Sequence, residues 1–287
     1  MLKLKEWPLV LFTFLVQSSV GVFILAFGPA LLQRSWENRW LFRAADRWGL
    51  ALLGLVGLSV LVSLFHRGQS LSVYLPVREA QPGWLNREIA SLGIFFLFLV
   101  ALEFLLIMRA SGLAMALLVV LTGLSGLIVI YVMSRLHCLA GVRLWKSSRT
   151  AFFFFMTAFL VGSLAMLFFQ RTGSPALMLP WLGKLYWWAA VLLTALALMG
   201  LLLFDQVSGL FPLPEAGASR SRSWQLVFVL RLVMLLAALA FLLISHAGER
   251  IQNPADMAFP ALGLILVIIE ELLGRVAFYN LVDSVGS

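Results

Sequence analysis

Of 287 residues, 62% are hydrophobic and only 12% charged, against roughly 45–50% and about 25% in ordinary soluble domains. That balance excludes a water-soluble fold. The net charge of +8 is no nucleic-acid signature, because Lys and Arg are spread between apolar runs rather than gathered in a patch.

A bilayer core about 30 Å thick needs about 20 apolar residues per helix. Windows of that size predict eight spans, near residues 8–32, 49–65, 89–108, 113–133, 151–169, 182–204, 226–245 and 257–281. The runs are continuous rather than alternating, which excludes a β-barrel. The first is too long for a signal peptide, and no small-residue cleavage site with a polar sequence follows it. The expected fold is all-α: a polytopic membrane protein of eight transmembrane helices, one bundle over 1–287 with no soluble domain.

The connections are short. Residues 34–47 are polar and aromatic and fit an interfacial turn. Residues 67–87 carry Pro76, Pro82 and Gly83, too much punctuation for a helix throughout. Residues 210–223, with Pro212, Pro214 and Gly217, read as a surface loop. No internal repeat is evident, which weighs against an inverted-repeat transporter. The N-terminus and even loops hold eleven Lys and Arg, the odd loops eight, a slight lean towards a cytoplasmic N-terminus.

Cys138 is the single cysteine, so the protein can form no internal disulfide and carry no iron–sulfur cluster, which takes several thiolates. Of three histidines, His66 and His137 end the second and fourth spans on one side, and His246 ends the seventh on the other. A haem between His66 and His137 is one reading. Two interfacial histidines without metal is the favoured one.

Ionisable groups inside a span cost several kcal/mol and normally face the bundle interior. Glu88 opens the third span behind Asn86, an expected N-cap, and a carboxylate in a first helical turn is favoured by the helix dipole. His66 closes the preceding span and the chain returns to the same face, so an acid and an imidazole reach one depth. Such a pair suits removal of a proton from a phenol. Glu271 and Arg275 lie four apart, acid first, and can pair along one face of the last span. Arg231 has no partner on its own helix and is expected to meet Glu270 or Glu271. With Tyr279, these residues form either a structural ion-pair cluster or the lining of a ligand cavity. Glu103, about 22 Å along its helix from Glu88 at 1.5 Å per residue, is expected to be solvated near the opposite interface beside Arg109.

The sequence resembles the membrane anchor subunits of the dimethyl sulfoxide reductase family, within the eight-helix quinol-oxidising anchors of molybdenum enzymes. The resemblance runs along the whole chain. It is carried by Glu6-Trp7-Pro8-Leu9, Ser63-Leu64-Phe65-His66-Arg67-Gly68, Asn86-Arg87-Glu88-Ile89-Ala90-Ser91 and the closing Glu271-Leu272-Leu273-Gly274-Arg275-Val276-Ala277-Phe278-Tyr279. It implies a menaquinol site at His66 and Glu88, with Arg67 or Arg87 polarising the pocket. Arg67, Gln69 and Ser70 depart from the family's usual loop, where a Leu precedes the Gly and Ser-Pro follows it. The resemblance further implies an iron–sulfur subunit and a molybdopterin catalytic subunit as partners, anaerobic respiration, and a bacterial inner membrane with the N-terminus periplasmic, against the charge count.

A protein without a redox cofactor of its own cannot store the two electrons of a quinol. They must leave for a centre in a neighbouring protein, which requires the pocket to abut the docking surface. On this reading the chain is a non-catalytic subunit of an oxidoreductase complex, with no metal and with menaquinol as substrate. The competing readings are a transporter or passive scaffold, which would show flux without a redox partner, and a haem-bearing quinol anchor, which would show a visible absorption spectrum.

Overall fold

The computed structural model describes the backbone of residues 7–32, 39–66, 82–110, 112–139, 148–172, 180–210, 222–247 and 255–285; the side chains of His66, Arg67 and Tyr279 lie outside the described set. The described residues form eight helices: α1 (Trp7–Leu32), α2 (Arg39–His66), α3 (Pro82–Ile107), α4 (Leu113–Leu139), α5 (Ser148–Thr172), α6 (Pro180–Leu210), α7 (Arg222–Ala247) and α8 (Ala255–Val285). Each overlaps one predicted span. Six contain stretches long and apolar enough to cross a membrane, namely Trp7–Pro29, Gly83–Ile107, Leu113–Cys138, Thr150–Gln170, Trp181–Leu203 and Leu226–Ser245. In α2 the described apolar stretch is the shorter Trp48–Ser63, and α8 carries Glu270, Glu271 and Arg275 among its apolar residues. This is an all-α, multi-pass membrane protein.

Three local expectations change. Residues 39–47, expected to be turn, are the first turns of α2. Helix α3 starts at Pro82, so Asn86 lies inside the helix and is not its N-cap. Proline suits the first helical position, where its fixed φ is helical and its missing N–H would have no intrahelical partner. Glu103 is buried rather than solvated, at 6% exposure, for a reason given below.

The protein packs as two compact units. The first covers Glu6–Gly162 and the second Ser163–Leu281. In the first, α1 is the enclosed helix: Val16, Val20, Phe23, Ala26 and Phe27 are all essentially inaccessible. Apolar side chains gain little by leaving lipid for protein, so association rests on close packing at small residues. Gly21 of α1 lies against the backbone carbonyl of Ala158 on α5, and Gly162, one turn on, faces the backbone of Gly21. A methyl group at either position would strike main chain.

The α3–α4 hairpin turns through a Schellman cap. Ala110 N–H donates to Leu105 O at 2.9 Å and Arg109 N–H to Leu106 O at 3.0 Å, with Arg109 left-handed at φ 52°. These bonds satisfy carbonyls that the helix end would otherwise leave open.

In the second unit Trp187 on α6 donates its indole N–H to Leu242 O on α7 at 2.8 Å. Phe241 on α7 stacks on Phe259 of α8 at 6.1 Å between centroids.

Candidate functional site

Helix α3 buries a stripe at helical spacing: Glu88, Leu92, Phe95, Leu99, Leu102 and Leu106. Glu88 belongs to that stripe, so its carboxyl group enters the interior of the first unit. It is 4% exposed, and its Oε1 is buried with no hydrogen-bond partner. Its backbone carbonyl accepts a 3.0 Å bond from the Ser91 hydroxyl. A buried carboxylate oxygen without a donor is costly and calls for an explanation, of which a catalytic role is one.

Neighbouring contacts establish what shares its depth. Gly126 of α4 packs between Val20 of α1 and Phe95 of α3, and Phe95 meets Phe23 edge-on at 6.3 Å. Helices α1 and α3 run the same way and α4 runs back. Counted seven residues from that level, Glu88, Thr13 and Met133 share about one height along their helices, at 1.5 Å per residue. The Thr13 hydroxyl is spent on the carbonyls of Leu9 and Val10, at 2.9 and 3.3 Å. One turn nearer the surface, His137 Nδ1 lies 2.7 Å from Met133 O. Only a donor can face a carbonyl, so Nδ1 carries a proton. The ring meets Phe154 of α5 edge-on at 5.2 Å.

The acid at the far end of α3 positions α2. Gly49 of α2 leaves the space that the Glu103 carboxylate fills, and a side chain at 49 would overlap it. This explains the burial of Glu103, which the periodicity of α3 alone did not reveal. It also sets the register of two antiparallel helices. Counted back from the Gly49–Glu103 contact, the backbone of His66 stands about 3 Å along the axis from the level of Glu88, at 1.5 Å per residue. The two residues singled out in sequence thus lie on neighbouring helices in one layer. Arg67 lies outside the described residues.

Arg87 takes a different direction from Glu88. It is exposed, with its guanidinium 4.7 Å from the centre of the Trp84 ring. Arg135 of α4, also exposed, approaches the same ring at 5.9 Å. Sequence reading did not join Trp84 to Arg135. The antiparallel pairing of a tight hairpin, which brings residue 84 opposite the end of α4, was the available signal.

In the second unit Arg231 meets Glu270, one of the two expected partners. Its Nε donates to Oε1 at 2.8 Å, and its Nη2 lies 2.7 Å from the same oxygen. Glu270 is almost wholly buried, whereas the Arg231 side chain keeps 24% exposure. Gly274, one turn beyond Glu270, supplies the room: a Cβ there would come within 2.5 Å of Nη2. Arg275 is buried and Glu271 half-buried on the same helix. Tyr279 lies on α8, with its side chain outside the described residues. Among the described residues no group of three or more His, Cys, Asp or Glu side chains is placed to hold a metal ion.

Known proteins match this sequence over nearly its whole length. A family model described as "DMSO reductase anchor subunit (DmsC)" matches residues 1–281. The sequence is 23% identical over 285 residues to an anaerobic dimethyl sulfoxide reductase subunit of Haemophilus influenzae, covering 99% of this protein and 97% of that one. It is 26% identical over 289 residues to YnfH, an anaerobic dimethyl sulfoxide reductase subunit of Escherichia coli K12, covering 98% and 96%. With another anaerobic dimethyl sulfoxide reductase subunit of that organism it shares 27% over 296 residues, again covering 98% and 96%. No solved structure matches.

Proposed function

The chain belongs to the DMSO reductase anchor-subunit family, and from that membership we propose that it oxidises menaquinol at the layer shared by His66 and Glu88 and passes the electrons to an iron–sulfur partner subunit. As a member of that family this is a membrane anchor subunit whose complex has electron-transfer and catalytic partners. The single observation that carries the proposal is the Glu88 carboxylate, buried at a helix-end layer with Oε1 unpartnered.

Oxidation of a quinol removes two electrons and two protons. A carboxylate oxygen without a donor can accept a phenolic O–H bond and then the proton itself. His66, whose backbone lies on the neighbouring helix at about the same level, takes the second. Arg67, next to His66 in the sequence, supplies positive charge near the developing phenolate, while Arg87 is engaged on Trp84. The electrons leave at once, because the proposed subunit has no redox cofactor of its own. They travel to the iron–sulfur subunit and then to a molybdopterin catalytic subunit, completing a step of anaerobic respiration. The layer lies at one membrane surface rather than at mid-bilayer, which keeps the transfer to a docked partner short. The proposed setting is the bacterial inner membrane with the N-terminus, and hence this layer, on the periplasmic side.

In the assembled complex, Glu88→Gln and His66→Ala should each reduce menaquinol-dependent turnover by at least about a hundredfold, the scale of lost general-base catalysis. Turnover with an artificial electron donor supplied directly to the partner subunits should be retained. Wild-type menaquinol turnover in both variants would reject the site.

A further inference from the structure

We propose that Arg87, Trp84 and Arg135 form a binding site for the headgroup of an anionic phospholipid, in the same membrane leaflet as Glu88. Two exposed guanidiniums converge on one half-buried indole, at 4.7 and 5.9 Å from its centre. They lie no further apart than those two distances together. Neither has a carboxylate partner among the described residues. Two like charges held close without a counter-ion repel one another, and an anion between them reverses the sign of that energy.

The surroundings identify the anion's source. Trp84 and Arg87 stand at the start of the membrane stretch Gly83–Ile107, and Arg135 three residues before the end of Leu113–Cys138. That is headgroup depth, where tryptophan and arginine are commonly found. Beneath Arg135 the exposed face of α4 continues as Tyr131, Ile128, Leu124 and Leu121, each three or four residues from the last. Beneath Arg87, α3 exposes Ile94 and Leu97. Each guanidinium therefore stands above exposed apolar residues of its own helix. A phosphate at the top with acyl chains along both sets of residues matches this surface. An acidic protein surface would use the cations and leave the apolar residues beneath them unexplained. Tyr131, one turn below Arg135, puts a hydroxyl at the depth of the glycerol esters.

The test uses the purified full-length protein, stripped of lipid and titrated with phosphatidylglycerol or phosphatidylcholine, with bound lipid read by native mass spectrometry. The wild type should prefer phosphatidylglycerol, and added salt should weaken that preference. Arg87→Gln and Arg135→Gln should each weaken phosphatidylglycerol binding by about fivefold, and the double variant by the product, as expected for basic groups at a membrane surface. Should the double variant fail to fold, the two single variants carry the test. Equal binding of the two lipids by the wild type, or unchanged phosphatidylglycerol binding in both single variants, would overturn the site. So would unchanged lipid binding combined with loss of co-purifying partner subunits, which would assign the two arginines to a protein interface.

Discussion

Replacing Glu270 with leucine tests whether the α7–α8 contact is an ion pair the bundle depends on. Arg231 sits five residues inside the stretch Leu226–Ser245, about 7.5 Å along the helix. Both its bonds go to one carboxylate oxygen, at 2.7 and 2.8 Å. Removing that oxygen leaves a cation that cannot lose its proton. Orphaning a buried charge costs about 3–5 kcal/mol. The Arg231 side chain retains 24% exposure and can extend towards the surface, which holds the expected loss near the lower bound, about 3 kcal/mol. Arg231→Leu alone should also destabilise. The double leucine variant should lie within about 1 kcal/mol of wild type, because apolar packing substitutes well for buried ion pairs. Unfolding in mixed micelles titrated with dodecyl sulfate, followed by circular dichroism, gives all three values. A coupling energy of at least about 2 kcal/mol is expected. A coupling below about 0.5 kcal/mol, the level at which independent sites simply add, would refute the reasoning.

Two further outcomes follow from the backbone. Gly21→Ala places a methyl group against the Ala158 carbonyl, which cannot rotate away, so α1 and α5 must separate at a cost of about 1–3 kcal/mol. Gly28→Ala, with open space around it, is the control in the same unfolding assay; equal midpoints for the two variants would contradict the close crossing. Arg109→Gly should raise the detergent-solubilised thermal midpoint, because a left-handed non-glycine residue costs about 1–2 kcal/mol, while Arg109→Val should lower it. No rise with glycine would show that the cap is unstrained.

Much of this protein was legible in the sequence. All eight helices follow from runs of apolar residues, since a span must satisfy its own backbone hydrogen bonds and present apolar side chains to lipid over a set length. Glu88 stood out for the same reason: an acid at the edge of such a run is expensive enough to attract attention. Arg231 could be foreseen to need an acid, because its own helix offers none.

Other features depended on which helices meet, and at what height. Glu103 looked solvated because hydropathy along α3 contains nothing of Gly49, the notch on α2 that receives its carboxylate. The choice of Glu270 over Glu271 for Arg231 was decided by the antiparallel register of α7 and α8 and by the space at Gly274. Arg87 and Arg135 meet at Trp84 only because the hairpin after Ile107 is tight. Periodicity along one helix sets which residues share a face. Charges separated by tens of residues become neighbours through the packing of backbones at glycine, and that packing was settled in three dimensions.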